Sequence, residues 1–433
     1  MNANNLESRL EHYFDRLWPI PRSLAGPGFR ESLQILGELV PFEWLYFPTG
    51  TQVFDWTIPP EWTVREAFIQ GPDGIKRADF ATNNLHLVGY SAPFRGRISL
   101  EQLKPHLHTI PELPKAIPYL TSYYNKIWGF CLSQEELDNL PKGDYEVVVD
   151  TSFEAGSLVV AEAVLPGDTE REILITSYLC HPSMANNELS GPLVLAFLYE
   201  QISKMPHRRY TFRFVIGPET IGTIAYLHKR SEHLLNTLDA GYVLTCIGDI
   251  GPFTYKKSRN GNSLADKSAE EVLSRKENSK VINFFPNGSD ERQYNSPGLN
   301  LPVGSMMRSS YNCYPQYHTS LDNKDVISFK KLAEAVNVCT EIVSALDYNI
   351  TWVSNNQTCE PFLSKYGIYP TTHSVRSIDE WKMAILWIMN LADGEHDLLE
   401  IARKSRIAPK LLHETALKLE QVGLLRRANQ QGD

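Results

Sequence analysis

The sequence of 433 residues has little of what would place it in a membrane, in a disulfide-rich class or on a nucleic acid. It contains no run of about 18 apolar residues, the length that a membrane-spanning helix needs. Its six cysteines are scattered singly without a Cys-x-x-Cys pair, which excludes a zinc ribbon and leaves histidine and carboxylate side chains to bind any zinc. Acidic residues outnumber basic ones by 51 to 42, which argues against the nucleic-acid backbone as the main ligand.

The N-terminal stretch also lacks a basic segment followed by an apolar one, so it predicts an amphipathic helix and no secretory signal. We therefore expect a cytoplasmic protein with free thiols. The composition, with 42% apolar and 21% charged residues, is that of a globular enzyme with a large core. At about 100–200 residues per domain, the length predicts two to four domains.

The middle of the chain alternates between apolar strand-like runs and helical patterns. Residues 171–179 ("REILITSYL"), 209–217 ("RYTFRFVIG") and 239–251 ("DAGYVLTCIGDIG") predict strands, and "GPLVLAFLYEQISKM" and "SFKKLAEAVNVCTEIVSALDYN" predict helices. Such an alternation is typical of an α/β fold with a mostly parallel sheet and helices on both faces.

The character of the chain changes twice, which predicts three domains. Residues 1–47 and 134–348 are predicted to form the α/β domain. Residues 48–133 alternate apolar and polar side chains around a "GPDG" turn, which indicates a small inserted β domain. Residues 349–433 predict a linker followed by three helices, in a spacing that resembles a winged helix.

Three of the predicted strands end in a polar cluster. "CHPS" supplies His181, "GPET" supplies Glu219 and "GD" supplies Asp249, while "YHTSLD" adds His318 at the start of a helix. Ligands of parallel sheets bind beyond the carboxyl ends of the strands, and catalytic zinc needs about three such protein ligands. Taken singly, His181 is better explained as a capping or packing histidine, and Asp249 as a turn residue beside glycine.

The stretch 287–311 carries a second group of candidate residues. Asp290 and Glu291 are carboxylates suited to proton transfer, while Arg292, Arg308 and Tyr311 are suited to holding a substrate carboxylate. The alternative is a charged surface loop.

The segments "HPSMANNELSG", "FRFVIGPETIGT", "GSDERQY" and "YHTSLD" together resemble the co-catalytic zinc aminopeptidases. Over nearly its full length, the chain resembles a family of bacterial aminopeptidase-like proteins with an inserted β domain and a C-terminal winged helix. The resemblance implies that His181, Glu219 and His318 are metal ligands, that Asn187 stands at the bridging aspartate and that Asp249 loosely matches the remaining ligand.

Two departures from the aminopeptidase pattern bear on chemistry. Asn187 is neutral, so that two zinc ions would repel each other with no bridging carboxylate between them, and we expect one zinc per chain or none. Pro218 occupies the position of the general base. Asp290 or Glu291 must then take that role, or Glu219 must act as base and not as ligand.

Three functions follow from these patterns. The first is a zinc-dependent hydrolase of a peptide or small amide, without membrane association and expected to be a homo-oligomer. The second is a degenerate member of the family that acts as a binding or scaffold protein. The third is a DNA-binding regulator, for which the basic residues are few: Lys410, His413 and Lys418 are the contacts that the third helix offers.

Overall fold

The computed structural model describes residues 3–368 and 380–428, and a mixed eight-stranded sheet forms its centre. In chain order the strands are β1 (Glu43–Pro48), β2 (Ser157–Leu165), β3 (Glu172–Tyr178), β4 (Thr211–Gly217), β5 (Leu238–Leu244), β6 (Thr254–Lys256), β7 (Lys280–Ile282) and β8 (Val303–Met307). In spatial order they run β1-β2-β4-β3-β5-β8-β6-β7.

The four strands β4, β3, β5 and β8 lie side by side and are parallel. Every residue of β3 and of β8 is buried, as the apolar runs of the sequence predict for strands covered on both faces. The antiparallel strands β1, β2 and β6 flank this parallel centre. The predicted α/β fold class is confirmed, with a mixed sheet whose parallel part lies in the middle.

Nine helices longer than five residues occur in the described ranges. Those of the α/β domain are α1 (Ala3–Leu17), α2 (Pro27–Leu36), α3 (Ser190–Ser203), α4 (Ile221–Thr237), α5 (Leu264–Leu273) and α6 (Phe329–Tyr348). Apolar residues of α1, α2, α3, α5 and α6 share one hydrophobic cluster with the sheet, and those of α4 share a second cluster with the inserted segment. The two faces of the sheet are therefore covered by different parts of the chain. Neither these helices nor any other in the described residues is both long and apolar enough to cross a membrane.

A second, antiparallel sheet lies in and beyond the predicted insert. Its strands are, in spatial order, Lys76–Arg77, Glu61–Gln70, Asp144–Glu154 and Phe94–Ser99. Two short ribbons (Gln52–Val53 with Trp56–Thr57, and Leu107–His108 with Phe130–Cys131) and the short helices Leu100–Leu103 and Gln134–Asp138 accompany it. The insert boundary at residue 133 stays a prediction, but the strand Asp144–Glu154 beyond it pairs within this sheet before the chain returns to the main one.

The C-terminal part contains α7 (Glu380–Leu391), α8 (Leu398–Ser405) and α9 (Pro409–Gln421), and strands Trp352–Ser354 and Leu425–Arg427 pair beside them. The first of the three helices predicted for the C-terminal part spans residues 377–394, and its start lies outside the described residues. His413 of α9 stacks on Tyr348 at 4.9 Å between ring centroids, and Lys418 lies over the ring of Trp381. Of the three side chains offered as DNA contacts, His413 is therefore partly buried against α6, while Lys418 is exposed beside a ring of the same domain.

Arg213 on β4 joins three elements through buried charges. Its guanidinium donates two 2.7 Å hydrogen bonds to Glu172 on β3 and one of 2.7 Å to Glu162 on β2. Arg213, Glu172 and Glu162 are all buried, with 6%, 3% and 2% of their surface exposed. Removing the arginine would leave two carboxylates in the sheet without their principal cation.

We therefore expect Arg213→Met to lower the free energy of unfolding by about 3–5 kcal/mol, because breaking a buried ion pair leaves uncompensated charge. Urea denaturation of the full chain measures this loss. Arg65→Met is the matched control, since Arg65 pairs with Asp150 on the exposed face of the second sheet, and it should leave the free energy of unfolding almost unchanged. Equal losses in the two variants would contradict the role assigned to Arg213.

Candidate functional site

The loops that follow the parallel strands converge at one edge of the main sheet. His181 lies three residues beyond β3, Glu219 lies two residues beyond β4, and His318 lies in the long connection between β8 and α6. Because the carboxyl ends of adjacent parallel strands meet at the same edge, these distant parts of the sequence become neighbours. The structure brings together His181, Glu219 and His318.

The imidazole of His181 is held between two carboxylates. Its Nδ1 lies 2.8 Å from Oε2 of Glu188, and its Nε2 lies 3.6 Å from Oε2 of Glu219. Oε1 of Glu188 also accepts a 2.8 Å hydrogen bond from the His181 backbone. Glu188 thus lies at ion-pair distance from Nδ1, although its Oε2 makes no hydrogen bond among the described residues, and Nε2 is directed toward Glu219.

His318 faces His181 across a short gap. The two ring centroids are 5.4 Å apart, and the ring of Tyr119 lies 4.8 Å from His181 and 5.5 Å from His318. Tyr317 stacks on His318 at 4.0 Å between centroids. The backbone N–H of Tyr119 donates to the carbonyl of His318, so the inserted segment is tied directly to this histidine.

Four residues of these loops have a left-handed backbone although none is glycine. Their φ angles are +47° at Ser183, +62° at Thr220, +46° at Cys246 and +55° at His318. Such conformations are uncommon for non-glycine residues and cluster at functional sites, where the surrounding packing enforces them. Each of the four parallel strands is followed by one of these strained residues.

Burial and neighbouring charges move the pKa values of the site in different directions. Burial lowers the pKa of His181, but Tyr119, Cys180 and Glu188 together outweigh it and the pKa lies well above its ordinary value. Burial and the nearby His181 lower the pKa of His318 to about 3. Burial raises the pKa of Glu219, and His181 opposes part of this rise. His318 is therefore neutral, the form in which histidine binds metals.

Asn187 lies in a π-helical turn (Ala185–Leu189) directly before α3, and its side chain is 1% exposed. Its Oδ1 accepts a 3.2 Å hydrogen bond from the hydroxyl of Tyr178. Its Nδ2 is buried and has no hydrogen-bond partner among the residues the structure describes. The amide therefore faces the interior of the site with one donor group unused.

Asp249 makes its contacts beside this turn. Its Oδ2 accepts a 2.8 Å hydrogen bond from Nδ2 of Asn186, and its Oδ1 accepts one of 3.0 Å from the hydroxyl of Ser309. The backbone N–H of Gly251 donates to the same Oδ1 at 2.7 Å. These contacts anchor neighbouring loops, and the ligand role that the resemblance implies for Asp249 stays a prediction.

Residues 289 and 290 join the site from another loop. The hydroxyl of Ser289 donates a 2.7 Å hydrogen bond to Oε1 of Glu219, and Oδ1 of Asp290 accepts one of 2.7 Å from the backbone of Thr220. Asp290 is 1% exposed, and its burial and the nearby Glu219 raise its pKa to about 8. The loop thus places a second carboxyl group beside Glu219.

Glu291 and Tyr311 belong to a separate buried cluster. Oε1 of Glu291 lies 2.7 Å from Nζ of Lys256, with both side chains fully buried, and Oε2 accepts a 3.3 Å hydrogen bond from the hydroxyl of Tyr311. Nζ of Lys256 also donates to the carbonyl of Asn287. This ion pair secures the loop that carries Ser289 and leaves Glu291 neutralised by its lysine.

The two arginines of stretch 287–311 differ in their surroundings. Arg292 is exposed and donates a 3.2 Å hydrogen bond to the hydroxyl of Thr220, at the rim of the site. Arg308 is 2% exposed; its guanidinium lies 3.9 Å from the ring centroid of Phe253 and pairs with Glu334. These contacts tie Arg308 to α6 and leave Arg292 as the arginine near Glu219.

The sequence reasoning missed three neighbours of His181. Cys180, His181 and Glu188 form the one group of three potential metal-ligating residues found among the described residues. Burial raises the pKa of Cys180 to about 11, so its sulfur is a thiol that accepts a hydrogen bond from the backbone of Glu219. Glu188 lies seven residues after His181 and could have been noticed as a carboxylate on the same loop, whereas nothing in the sequence indicated Tyr119.

A cleft of about 140 Å³ adjoins His181. Three parts of the chain line it: the segment before and at the start of α2, the inserted β segment, and the loop that carries Cys180 and Pro182. Trp62 and Tyr90 stack on each other in its wall with ring centroids 5.5 Å apart, and Tyr119 and Tyr123 also line it. The pocket with aromatic walls thus lies beside the loop of His181, while His181, Glu219 and His318 themselves do not line it.

Comparison with known families divides the chain in two. The model of a family described as a domain of unknown function, DUF4910, matches residues 11–349. The model of a winged helix-turn-helix domain matches residues 350–427. The winged helix expected at the C-terminus is confirmed.

Similar proteins come from Clostridium acetobutylicum and Bacillus subtilis. A protein of the former, named "Putative polysaccharide biosynthesis protein with aminopeptidase-like domain", is 41% identical over 426 residues, which cover 98% of each chain. A crystal structure of a "putative peptidase" from C. acetobutylicum has a TM-score of 0.92 at 40% identity, covering 98% of this chain and 97% of that one. A zinc aminopeptidase from B. subtilis has a TM-score of 0.57 at 13% identity, covering 79% of this chain and 94% of that one, and so shares the fold. The resemblance to aminopeptidase-like proteins is confirmed.

Asp322 holds the loop of Asn187 in place. Its two carboxylate oxygens accept 2.8 Å and 2.9 Å hydrogen bonds from the backbone of Asn186 and Asn187, and a 3.1 Å bond from the hydroxyl of Tyr314. The side chain is completely buried. A carboxylate is suited to this place because it only accepts hydrogen bonds.

We expect Asp322→Asn to destabilise the protein by about 2–3 kcal/mol, since an amide NH₂ would face backbone donors and leave one of them unpaired. Thermal or urea unfolding measures the change. Asp325→Asn, a few residues along on the exposed surface, is the control and should change stability by less than about 0.5 kcal/mol. A loss in Asp322→Asn no larger than in the control would show that this anchor is dispensable.

Proposed function

The chain belongs to the DUF4910 family, and from the geometry of its site we propose that it is a metal-dependent hydrolase of amide bonds that uses one zinc ion. His181, Glu219 and His318 would hold the ion. The observation that carries the proposal is the convergence of these side chains: Nε2 of His181 lies 3.6 Å from Oε2 of Glu219, and the rings of His181 and His318 face each other at 5.4 Å between centroids. Bound zinc would supply a polarised carbonyl oxygen or an activated water at neutral pH.

The measured spacing of His181 and Glu219 fits tetrahedral coordination. Zinc binds nitrogen and oxygen ligands at about 2.0–2.2 Å, so two ligand atoms of a tetrahedral site lie about 3.4 Å apart. Nε2 of His181 and Oε2 of Glu219 are 3.6 Å apart. The ring centroids of His181 and His318 are 5.4 Å apart, but the ligand atoms of the three side chains do not all lie within 4.8 Å of one another, so His318 would turn toward a bound ion.

The surroundings of these residues also suit metal binding. Glu188 orients His181 through Nδ1, Ser289 orients Glu219 through a hydrogen bond to Oε1, and Tyr317 stacks on His318. Each ligand side chain is therefore held by a neighbour that does not itself occupy the ligand atom facing the site. Three protein ligands leave a fourth position for water or substrate, as in other catalytic zinc sites.

Asn187 supports one ion and not two. A pair of zinc ions about 3.5–4 Å apart requires negative charge between them, and the amide of Asn187 supplies none. Its Oδ1 already accepts a hydrogen bond from Tyr178. Asp249, the other carboxylate that a second ion could use, is engaged by Asn186 and Ser309.

Asp290 is the carboxyl group best placed to transfer a proton. No ion pair with Asp290 occurs in the described residues, whereas Glu291 is neutralised by Lys256. Asp290 accepts a hydrogen bond from Thr220, the residue next to Glu219. Proton transfer to a departing amine needs such a group within reach of the bond that breaks.

The substrate class consistent with these features is a peptide or a small amide. The relative from C. acetobutylicum carries a name that refers to polysaccharide biosynthesis, which adds amides of amino sugars to the compounds worth testing. A degenerate member that binds without hydrolysis remains the alternative function. It would retain the cleft and lack the metal.

Protein purified without a histidine tag or chelator should contain about one zinc per chain. His181→Ala and His318→Ala should each reduce this content by at least about tenfold. Changing a residue that only orients a metal ligand already costs about 10–100-fold in metal affinity, and losing the ligand itself costs no less. Asp249→Asn should keep its metal, because its contacts are with loops. Inductively coupled plasma mass spectrometry measures the content; less than about 0.2 zinc per chain in the parent protein, with no gain on zinc addition, would exclude the proposal.

Asn187→Asp should allow a second zinc ion to bind, since it restores a bridging carboxylate. The expected stoichiometry rises from about one to about two zinc ions per chain, and Asn186→Asp should leave it unchanged because Asn186 faces Asp249. If Asn187→Asp confers metal binding or aminoacyl-amide hydrolysis that the natural protein lacks, the natural protein is the degenerate form.

A further inference from the structure

Arg22 is a buried guanidinium next to the candidate metal site. It is 2% exposed and lies in the segment between α1 and α2. Its Nε donates a 3.2 Å hydrogen bond to the carbonyl of His181, and its Nη1 donates one of 2.6 Å to the carbonyl of Leu17. Arg22 therefore connects the N-terminal helix to the loop of the candidate ligand.

One end of this guanidinium is unused. Nη2 of Arg22 is buried and has no hydrogen-bond partner among the residues that the structure describes. A guanidinium has five N–H donors, and the two hydrogen bonds to carbonyls satisfy only part of them. A buried charged group with unpaired donors is costly, so such a group indicates a ligand that is absent from the free protein.

Arg22 lines the cleft with aromatic walls described above. Trp62, Tyr90 and Tyr119 line the same cleft. The volume of about 140 Å³ is close to that of cavities that hold a benzene-sized group, about 150 Å³. The carboxylates nearest to Arg22 in the described residues include Glu188, which His181 already engages.

We propose that this cleft binds a carboxylate of the substrate through Nη2 of Arg22, with the adjoining flat or apolar part of the substrate against Trp62 and Tyr90. The substrate would then be an amide whose carboxylate-bearing portion lies in the cleft, beside the loop that carries His181. The reaction rests on the proposed hydrolase function, but the binding does not.

A carboxylate fits this cleft better than a phosphate. Arg22 is the only arginine or lysine that lines it in the described part of the chain, and the remaining polar lining is provided chiefly by hydroxyl, amide and backbone groups. Glu31 also lines it and carries negative charge on the exposed side. One cation matches the single charge of a carboxylate, whereas a phosphate dianion is usually bound by several donors and charges.

The contacts of Arg22 with Leu17 and His181 also stabilise the fold, and a test has to separate this role from ligand binding. The structural role uses Nε and Nη1, and it requires neither a free Nη2 nor selectivity for an anion. Discrimination between a carboxylate and its neutral isostere is therefore a property that only the proposed binding role produces.

The test uses benzoate, benzamide and phenylphosphonate as probes of the full-length protein, with ligand-observed NMR titration as the measurement. Benzoate should bind at least about tenfold more tightly than benzamide, because only the former makes a charge-assisted hydrogen bond. Phenylphosphonate should bind more weakly than benzoate. Equal affinity for benzoate and benzamide would overturn the proposal, and preference for phenylphosphonate would overturn the carboxylate assignment.

Arg22→Gln should reduce benzoate affinity by at least about tenfold and leave benzamide affinity unchanged. Arg30→Gln is the matched control, since Arg30 lies on α2 nearby but pairs with Glu61 and does not line the cleft. Unaltered benzoate affinity in folded Arg22→Gln overturns the proposal. If Arg22→Gln does not fold, Arg22→Lys and the comparison of benzoate with benzamide in the parent protein decide the question.

The titration is repeated after removal of metal by chelator, because a carboxylate can also bind zinc. Benzoate affinity that survives this treatment supports the cleft, and affinity that disappears with the metal overturns it. Benzoate binding in a protein without metal or hydrolase activity would refute the proposed function alone. Zinc content and hydrolysis without benzoate selectivity would refute the carboxylate site alone.

Discussion

The parallel alignment of four adjacent strands is the constraint on which the rest of the site depends. Strands β4, β3, β5 and β8 end at the same edge, and each is followed by a loop that begins or contains a strained residue. The strain is sustained by buried anchors such as Asp322, which accepts hydrogen bonds from the backbone beside Asn187. His181 and His318 are more than a hundred residues apart in the sequence. If their strands ran in opposite directions, the two histidines would lie at opposite edges of the sheet.

The proposed one-zinc function rests on the charges of the site. His181, Glu219 and His318 would share one ion, while the positions that would serve a second ion are neutral or otherwise engaged. Asn187 contributes an amide, and Asp249 is turned to Asn186 and Ser309. Under the proposed function, charge would separate this chain from a two-metal enzyme, because the repulsion of two dications needs a carboxylate between them.

The inserted segment and the N-terminal segment complete the site. The ring of Tyr119 packs against both imidazoles, and its backbone N–H donates a hydrogen bond to the carbonyl of His318. Arg22 donates a hydrogen bond to the carbonyl of His181. Both segments also line the adjoining cleft. The main sheet therefore supplies the candidate ligands, and parts of the chain outside it shape what can approach them. The winged helix packs against α6 through His413 and Tyr348, on the part of the domain away from these loops.

The sequence was enough to predict the α/β class, the C-terminal winged helix and the candidate ligands at strand ends. Apolar periodicity and the change from strand to loop are local properties that a sequence pattern shows. Local pattern did not indicate that the strand Asp144–Glu154, within the range 134–348 predicted for the α/β domain, pairs in the other sheet, because its partners are more than 40 residues away. Only the tertiary structure decided which charged residues face the site. It directed Glu291 to Lys256 and Arg308 to Glu334, and it brought Tyr119, Glu188 and Arg22 to His181. The role of a charged side chain depends on which partner lies within hydrogen-bonding distance, and that distance exists only once the chain has folded.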